Sequence, residues 1–368
     1  MRRASFLLAL LLTLSQAGVN AASGTLPFEP SPAGFASALN AREFAFPRDH
    51  GPHPDFAHEW WYVTGHLATP DGRKFGFELT FFRVALAPPH AADRAPGGSR
   101  WRTRQIYVAH FAVTDIDAGQ FTSFERFGRD ALGLAGAESD PVRVWLRDWS
   151  LSAAGAAWHL QASQGRYALA LDMTPLLSPV LNGDRGLSQK SDAPADASYY
   201  YSIPRLQVQG RLQRDGRSFD VAGTAWLDRE WGSGALSKEE SGWDWFALQL
   251  SDGSTLMFYS LRRRDGGRDA HSAGTFVAED GRVRPLAADE VSIQVQGFWE
   301  SPRGGRYPAR WRLDVPALAL ALTLKPVLPD QELATRPRYW EGAVAVTGTR
   351  AQKPVLGQGY TELIGYAR

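Results

Sequence analysis

Residues 60–83 read WWYVTGHLATPDGRKFGFELTFFR, and this stretch decides the fold class. The Asp-Gly pair at residues 71–72 separates two runs that are rich in aromatic and β-branched residues. In the second run, apolar side chains occupy every second position, which places them on one face of an extended strand. They are Phe75, Phe77, Leu79 and Phe81. An Asp-Gly pair between two such runs is a strong signal for a β-hairpin.

The same turn signal recurs along the chain. Asp-Gly pairs stand at residues 71–72, 215–216, 252–253, 265–266 and 280–281. Further strand-like runs cover residues 142–151, 156–163, 167–172 and 206–212. Few windows show the period of an α-helix, and residues 316–324 are apolar throughout and fit either element. The pattern predicts an all-β fold.

Two hairpins of similar design indicate two domains. The first hairpin consists of Trp60-Trp61, an Asp-Gly pair and a strand that ends at Arg83. The second has the same order of features: Trp243-Asp244-Trp245, an Asp-Gly pair and a strand that ends at Arg262. A length of 368 residues also favours two domains. We place the boundary after a polar loop at residues 183–197. The predicted segments are an extended lead-in at 22–43, an N-terminal domain at 44–210 and a C-terminal domain at 211–368.

The N-terminus has the features of a cleaved signal peptide. Arg2 and Arg3 precede a short apolar run at residues 6–14, and Val19-Asn20-Ala21 fits the cleavage rule, so we predict cleavage after Ala21. The apolar run is too short to span a bilayer of about 30 Å. No Cys is available for a lipid anchor. We therefore expect a released protein that is periplasmic or secreted and does not span the membrane.

Composition excludes several function classes. The formal net charge is +1 and no long Lys/Arg block occurs, which argues against nucleic acid as a partner. Without Cys there is no thiol nucleophile, and no G-x-S-x-G elbow, Walker loop or dinucleotide fingerprint is present. The 13 Trp, 11 Tyr and 19 Phe suit a β-rich core or an apolar ligand cavity.

The segment DHGPHPDFAHEWWY at residues 49–62 concentrates histidines and carboxylates. Such side chains bind zinc or iron, but Pro52 and Pro54 forbid a helix that would align them. A packed loop whose imidazoles bond to backbone carbonyls is one alternative. A third interpretation, which we favour over metal binding, is that His50 and Glu59 shape the mouth of a pocket. We predict no metal.

The segment AWLDREWGS at residues 225–233 combines acids with tryptophans. In a strand, Trp226, Asp228 and Glu230 share one face. Two carboxylates inside a barrel repel each other and lose hydration, so the pKa of at least one rises, and a protonated carboxyl group can act as a general acid. Alternatively, one of the acids pairs with an arginine and closes the barrel end. The sequence leaves the two interpretations level; the candidate arginines are Arg83, Arg229 and Arg262.

Three tyrosines follow the polar loop at residues 199–201. Tyr199 and Tyr201 face the same way in an extended segment. Aromatic rings in a cavity can stabilise a transient cation by about 0.5–2 kcal/mol each. The competing interpretation is that both are ordinary core or rim residues.

Four stretches of the sequence together resemble a known family. They are FPRDHGPHPDFAHEWWYVTGHL at residues 46–67, AHFAVTD at 109–115, AWLDREWGS at 225–233, and the tail YWEGAV…GQGYTELIGY at 339–366. The chain resembles the AttH-like secreted lipocalin-domain family, which is related to the carotenoid hydratases and often labelled a predicted secreted hydrolase. The resemblance implies two lipocalin-like (calycin) barrels, a role in lipid or isoprenoid metabolism, and ABC-transporter components as partners.

The carotenoid hydratases protonate an alkene with an Asp that lies in a Tyr-x-Asp segment, and aromatic rings surround the resulting cation. Trp226-Leu227-Asp228 looks like the counterpart of that segment. Trp226 in place of the family's Tyr keeps an aromatic face but lacks the hydroxyl. A His/Trp pair of the family falls on Tyr199 and Tyr201, so the proton partner that the His supplies is missing here. Glu230 is an additional carboxylate.

These observations leave three functional hypotheses. The first is acid-catalysed hydration, isomerisation or cyclisation of a polyene or isoprenoid lipid without a cofactor. In it, Asp228 is the acid and Glu230 a second carboxyl group. The surrounding aromatic residues are Tyr199, Tyr201, Trp226, Trp60, Trp61 and Trp231. The second hypothesis is a carrier that works with an ABC transporter, and the third is a hydrolase in which one of the acids activates water.

Overall fold

The computed structural model describes residues 33–89, 103–233, 236–237 and 239–367. The predicted signal peptide lies outside these residues. Within them the chain forms antiparallel β-strands and four short 3-10 helices, at Arg48–His50, Ala131–Gly133, Ala288–Glu290 and Pro316–Leu318. The all-β prediction is confirmed. In this part of the chain no helix is long and apolar enough to cross a membrane.

The first thirteen strands belong to one sheet. They are β1 (His58–Ala68), β2 (Lys74–Ala85), β3 (Gln105–Asp115), β4 (Gln120–Arg129), β5 (Ala135–Ser139), β6 (Val142–Leu146), β7 (Trp149–Ala154), β8 (Ala157–Gln164), β9 (Tyr167–Pro175), β10 (Val180–Leu181), β11 (Leu187–Gln189), β12 (Ala197–Arg214) and β13 (Arg217–Gly232). Their order is β4-β3-β2-β1-β13-β12-β9-β8-β7-β6-β5, and the short strands β10 and β11 also pair with β12.

Ten strands form a second sheet. They are β14 (Glu240–Leu250), β15 (Thr255–Arg263), β16 (Ala273–Val277), β17 (Val283–Ala287), β18 (Ser292–Glu300), β19 (Arg306–Val315), β20 (Leu320–Pro326), β21 (Glu332–Leu333), β22 (Tyr339–Arg350) and β23 (Lys353–Leu363). Their order is β17-β16-β15-β14-β23-β22-β20-β19-β18, and β21 pairs with β22. Both sheets are barrel-like, in agreement with the two predicted lipocalin-like domains.

The Asp-Gly pairs locate the hairpins correctly. All five lie between consecutive, paired antiparallel strands. In the first hairpin Ala68 opposes Lys74, and Gly72 has φ +90°, a left-handed conformation that glycine adopts without the strain of a Cβ. The ambiguous stretch at residues 316–324 is a 3-10 turn that leads into β20.

The predicted domain boundary at residues 210/211 falls inside β12. After the polar loop, β12 and β13 pair as a hairpin within the first sheet, so the loop does not link two domains. Sheet membership changes only between Gly232, where β13 ends, and Glu240, where β14 begins. The structure therefore corrects the boundary to this later segment.

Alternate faces of the first sheet have different surroundings. One face of β1, β12 and β13 packs into the apolar core of the N-terminal barrel, which includes Trp61, Tyr201 and Leu227. The opposite face meets the C-terminal barrel in a separate cluster. That cluster includes Tyr62, Tyr200, Trp226, Trp245, Met257, Tyr259, Leu261, Ala343 and Tyr360. The contact is close, because a Cβ built on Gly76 of β2 would lie 2.6 Å from Oη of Tyr360.

Candidate active site

A pocket opens where the two barrels meet, and both contribute its walls. Its empty volume is about 1070 Å³, including space open to solvent. From the N-terminal barrel it is lined by His58, Trp60, Tyr62, Thr80, Phe82, Lys190, Ser198, Tyr200, Asp228, Glu230 and Gly232. Leu236, between the two barrels, also lines it. The C-terminal barrel contributes Trp243, Trp245, Tyr259, Leu261, Tyr339 and Glu362. A hollow rich in aromatic residues, with several polar groups that converge on it, is typical of a small-molecule site.

Asp228 is the most deeply placed acid of this lining, with 4% of its surface exposed. Nε1 of Trp226 donates to its Oδ1 at 2.7 Å, and the hydroxyl of Tyr200 donates to its Oδ2 at 2.5 Å. Burial raises the pKa of Asp228 to about 7, and the charge of Glu230 adds to the rise. Donors from Ser202, Tyr200 and Trp226 stabilise the carboxylate and limit that rise. A carboxyl group with such a pKa can give or take a proton near neutral pH.

Glu230 lies two residues further along the same face and has a cationic neighbour. Ser198 donates a hydrogen bond to its Oε1, and Nζ of Lys190 lies 3.4 Å from the same oxygen. The Lys190 ammonium also sits 4.0 Å from the centre of the Tyr259 ring. Burial alone would lower the pKa of Lys190, but Glu230 and Tyr259 outweigh it and the pKa is raised. This end of the pocket therefore carries an ion pair.

The C-terminal barrel contributes a third acid, Glu362 of β23. Nε1 of Trp243 donates to its Oε2 at 2.6 Å. Burial raises the pKa of Glu362 to about 7, with further contributions from the charges of Glu230 and Asp228. Glu362 lies in the tail motif GQGYTELIGY and was not among the predicted site residues.

Two more acids lie buried behind the pocket wall. Glu78 accepts hydrogen bonds from Thr80 at 2.9 Å and from the hydroxyl of Tyr339 at 3.4 Å. Glu341 accepts one from the hydroxyl of Tyr62 at 2.6 Å. Burial raises the pKa of Glu78 to about 8 and that of Glu341 well above its ordinary value. Within the described chain neither acid pairs with a cation, so both are favoured in the neutral, protonated form.

The structure brings together one part of the predicted site. Asp228 and Glu230 line the pocket with Trp60, and Trp226 packs against Asp228 as its hydrogen-bond donor. Neither acid pairs with the candidate arginines: the donors to Asp228 are Trp226, Tyr200 and Ser202. The cation beside Glu230 is Lys190. The interpretation of an enclosed acid beside aromatic rings therefore agrees with the geometry.

The other predicted aromatic residues face away from the pocket. Trp61, Tyr199, Tyr201 and Trp231 all belong to the core of the N-terminal barrel. The physical reason is the period of two: residues that flank a pocket-facing position point into the barrel. Tyr200, between the two chosen tyrosines, is the one that reaches the pocket and Asp228.

His50 and Glu59 do not form the pocket mouth either. Nδ1 of His50 lies 2.5 Å from the hydroxyl of Tyr201 inside the N-terminal barrel. Glu59 is fully buried between Arg83 and Arg229, 2.6 Å from Nη2 of the latter. Burial would raise the pKa of Glu59, but the two guanidinium groups outweigh it and lower that pKa. The arginine pairing considered for Asp228 and Glu230 is thus made by Glu59.

The described residues contain no group of three His, Cys, Asp or Glu side chains arranged to hold a metal ion. The histidine-rich segment instead packs against the barrel, where the ring of His53 stacks on Trp231 with centroids 3.6 Å apart.

One sequence signal would have pointed to the acids of the C-terminal barrel. Glu341 and Glu362 each follow an aromatic residue by one or two positions, as Asp228 does. They oppose each other on neighbouring strands β22 and β23. Two directly opposed carboxylates destabilise a sheet unless protonation or a partner relieves the repulsion, so their pairing indicates an unusual electrostatic site.

Comparisons with known proteins agree with this architecture. A candidate AttH protein from Nitrosomonas europaea is 36% identical, with a TM-score of 0.79, over 90% of this chain and 100% of that one. Kievitone hydratase from Nectria haematococca shares the fold at 16% identity, with a TM-score of 0.68, over 93% and 98%. A protein named CghA also shares the fold. Its sequence identity is 13% and the TM-score is 0.55, over 92% of this chain and 97% of that one.

The comparison with curated proteins gives no match. A family model described as AttH-like matches residues 37–366, which is nearly the whole described chain. This match and the 36% identity to the Nitrosomonas protein are consistent with the predicted resemblance. The chain belongs to the AttH-like family.

Proposed function

We propose that the protein protonates an alkene of a hydrophobic isoprenoid or polyene lipid in the pocket between the barrels, with hydration as the overall reaction. The observation that carries this proposal is Asp228: a buried carboxyl group whose pKa is raised to about 7, in a pocket lined by aromatic rings. Isomerisation or cyclisation would begin with the same protonation. They differ from hydration in the reaction that consumes the cation.

The reaction starts with proton transfer from Asp228 to one alkene carbon. The O–H bond breaks, a C–H bond forms, and the other carbon becomes cationic. Rings of Tyr200, Trp245 and Tyr259 line the pocket, and each aromatic face can stabilise a desolvated cation by about 0.5–2 kcal/mol. Water then adds to the cation and loses a proton to a carboxylate of the pocket, which yields an alcohol.

The donors that hold Asp228 suit this role. Trp226 and Tyr200 donate to both of its oxygens, so they stabilise the carboxylate that forms as the proton leaves. The negative charge left on Asp228 then lies next to the cation. The ion pair of Glu230 and Lys190 at the same pocket supplies polar contacts that can orient water or a polar group of the substrate.

Similarity supports the reaction class. Kievitone hydratase shares the fold across almost the whole chain, and its name describes addition of water. At 16% identity the fold is common to both proteins, while the reaction must be argued from the pocket's own residues.

The test is turnover of defined probes. Purified protein is incubated with geranylgeraniol and with lycopene, and products that have gained one water are sought by mass spectrometry. Asp228→Asn should reduce turnover by about 10²–10⁴-fold, the usual contribution of a general acid. Asp220→Asn is the matched control, because Asp220 lies on the same strand with an exposed side chain. Equal loss in both variants, or none in Asp228→Asn, would remove Asp228 from the mechanism.

A second candidate function is carriage of a hydrophobic molecule and its presentation to ABC-transporter components. It is favoured by the apolar part of the lining, which includes Trp60, Phe82, Trp243 and Leu261, since such a surface binds a lipid without needing an acid. Mass spectrometry of lipid extracted from the native protein separates the cases. A stoichiometric, unmodified lipid together with no turnover of either probe would favour the carrier.

We further propose export, with signal cleavage after Ala21, to the periplasm of a bacterial cell. The charged and apolar segments of residues 1–21 support it. Intact mass and cell fractionation of the full-length chain expressed in a bacterium test it. A protein that retains Met1 in the cytosolic fraction would contradict the proposal.

A further inference from the structure

We propose that Glu362 is the base that works with Asp228: it accepts the proton of the attacking water, so that each barrel supplies one of the two reacting carboxyl groups. This inference rests on the proposed hydration and deepens it. Glu362 lies on β23 of the C-terminal barrel, whereas Asp228 lies on β13 of the N-terminal barrel, and both line the same pocket.

A short chain of contacts joins the two acids across the interface. Trp245 opposes Glu362 in the pairing of β14 with β23. Nε1 of Trp245 donates to the hydroxyl of Tyr200 at 3.1 Å, and that hydroxyl donates to Asp228. The wall that carries Glu362 is therefore held against the wall that carries Asp228, which sets the space between the two groups.

The hydrogen bonds of the two acids differ in a way that suits different roles. Each oxygen of Asp228 accepts a short hydrogen bond, one from Trp226 and the other from Tyr200. Glu362 accepts one, from Trp243 at Oε2, and within the described chain no donor lies on its Oε1. That oxygen can therefore bind a water molecule and accept its proton.

Glu230 is less suited to the same task. Its Oε1 accepts a hydrogen bond from Ser198 and lies 3.4 Å from Nζ of Lys190, so its charge is engaged in an ion pair. Glu362 has no ion-pair partner among the described residues. A carboxylate without a counter-ion in a poorly hydrated site gains more from accepting a proton.

Electrostatic coupling gives the pair one proton to share. Burial raises the pKa of both groups to about 7; the charge of Glu230 adds to the rise at both acids, and that of Asp228 adds further at Glu362. A negative charge on one of these acids disfavours ionisation of the other, so over part of the pH range one can be protonated while its partner is ionised. This is the state that acid–base catalysis requires.

The steps balance without any further reactant. Asp228 gives its proton to carbon, water forms a C–O bond to the cation, and the carboxylate of Glu362 takes the proton released by that water. The proton then returns from Glu362 to Asp228 through water in the pocket. The net change is alkene plus water to alcohol, and both carboxyl groups end as they began.

The coupling is tested by infrared titration of carboxyl C=O bands in protein labelled with ¹³C-glutamate, which separates Glu bands from Asp bands. The Asp228 band is the one lost in Asp228→Asn. Glu362→Gln should lower the pKa of Asp228, because a neighbouring negative charge is removed. Glu125→Gln, at a partly exposed acid of β4, should leave it unchanged. An unchanged Asp228 pKa in Glu362→Gln would overturn the pairing.

Kinetics separate this inference from the proposed function. With geranylgeraniol or lycopene as probe, the pH profile of kcat should be bell-shaped. Glu362→Gln should lower kcat about 10²-fold or more. It should also abolish the acidic limb of the profile, so that only the decrease of kcat at alkaline pH is left. Wild-type turnover that Glu362→Gln does not change would overturn the inference alone. No wild-type turnover of either probe would overturn the proposed function and this assignment with it.

A second variant keeps the test decisive if Glu362→Gln does not fold. Trp243→Phe removes the donor to Oε2 of Glu362 and keeps an aromatic ring. Loss of a donor to the carboxylate raises the pKa of Glu362, so the acidic limb of the kcat profile should move to higher pH. An acidic limb that stays in place would contradict the assignment.

Discussion

Nε1 of Trp226 donates a hydrogen bond of 2.7 Å to Oδ1 of Asp228, two residues further along β13. The two side chains share the strand face that meets the C-terminal barrel, because side chains alternate along a strand. The acid and one of its donors therefore come from a single short motif. Another donor, Tyr200, comes from the neighbouring strand β12.

Removing that indole donor should raise the pKa of Asp228. Trp226→Phe keeps an aromatic ring but no longer stabilises the carboxylate, so the protonated form gains. Infrared titration of the Asp228 C=O band measures the shift. Trp145→Phe is the control, because its indole donates to the carbonyl of Gly133 at an exposed site. A pKa that is unchanged or lower in Trp226→Phe would contradict the expectation.

Stability should fall as the pH rises through the range in which Asp228 ionises. Its pKa in the folded protein, about 7, lies above the ordinary Asp value of 3.8. Folding therefore retains a proton that the unfolded chain releases, and each pKa unit of difference corresponds to about 1.4 kcal/mol. This stabilisation is complete below pH 3.8 and is lost by about pH 7.

Asp228→Asn tests this dependence, because the amide stays neutral at every pH. Urea unfolding across the same pH window should show a shallower decline in the free energy of unfolding than in the wild type. Asp220→Asn should follow the wild type, since Asp220 is exposed. A decline as steep in Asp228→Asn as in the wild type would show that Asp228 does not carry the effect.

Glu59 should be a major contributor to stability. Glu59→Gln leaves the guanidinium groups of Arg83 and Arg229 buried without a carboxylate. Breaking a buried ion pair in this way costs about 3–5 kcal/mol, measurable by urea unfolding. Asp55→Asn, at an exposed position of the same segment, should change stability little. Equal stability of the two variants would contradict the prediction.

Gly76 should be intolerant of a larger side chain because the barrels touch there. A Cβ at this position would lie 2.6 Å from Oη of Tyr360 and 3.0 Å from Cβ of Ala343. Gly76→Val should destabilise the protein by about 1–3 kcal/mol and weaken binding of a fluorescent polyene, since the pocket needs both walls. Gly297→Val is the control, where the nearest atom is 3.4 Å away. Wild-type binding by Gly76→Val would show that the interface yields without affecting the pocket.

The sequence alone determined the strands and which side chains share one face of a strand. Alternating apolar residues and Asp-Gly turns were sufficient for the hairpins, because both signals are local. The same period of two correctly grouped Trp226, Asp228 and Glu230 on one face.

Only the tertiary structure decided where each face points. The period is the same whether Tyr199 and Tyr201 or Tyr200 faces the pocket, and the choice depends on how the first sheet closes on its own core and docks against the second. Glu362 joins Asp228 from a distant part of the chain through that docking. Local patterns determine extended structure and its two faces, whereas burial, and with it the pKa of each acid, depends on contacts between segments far apart in the sequence.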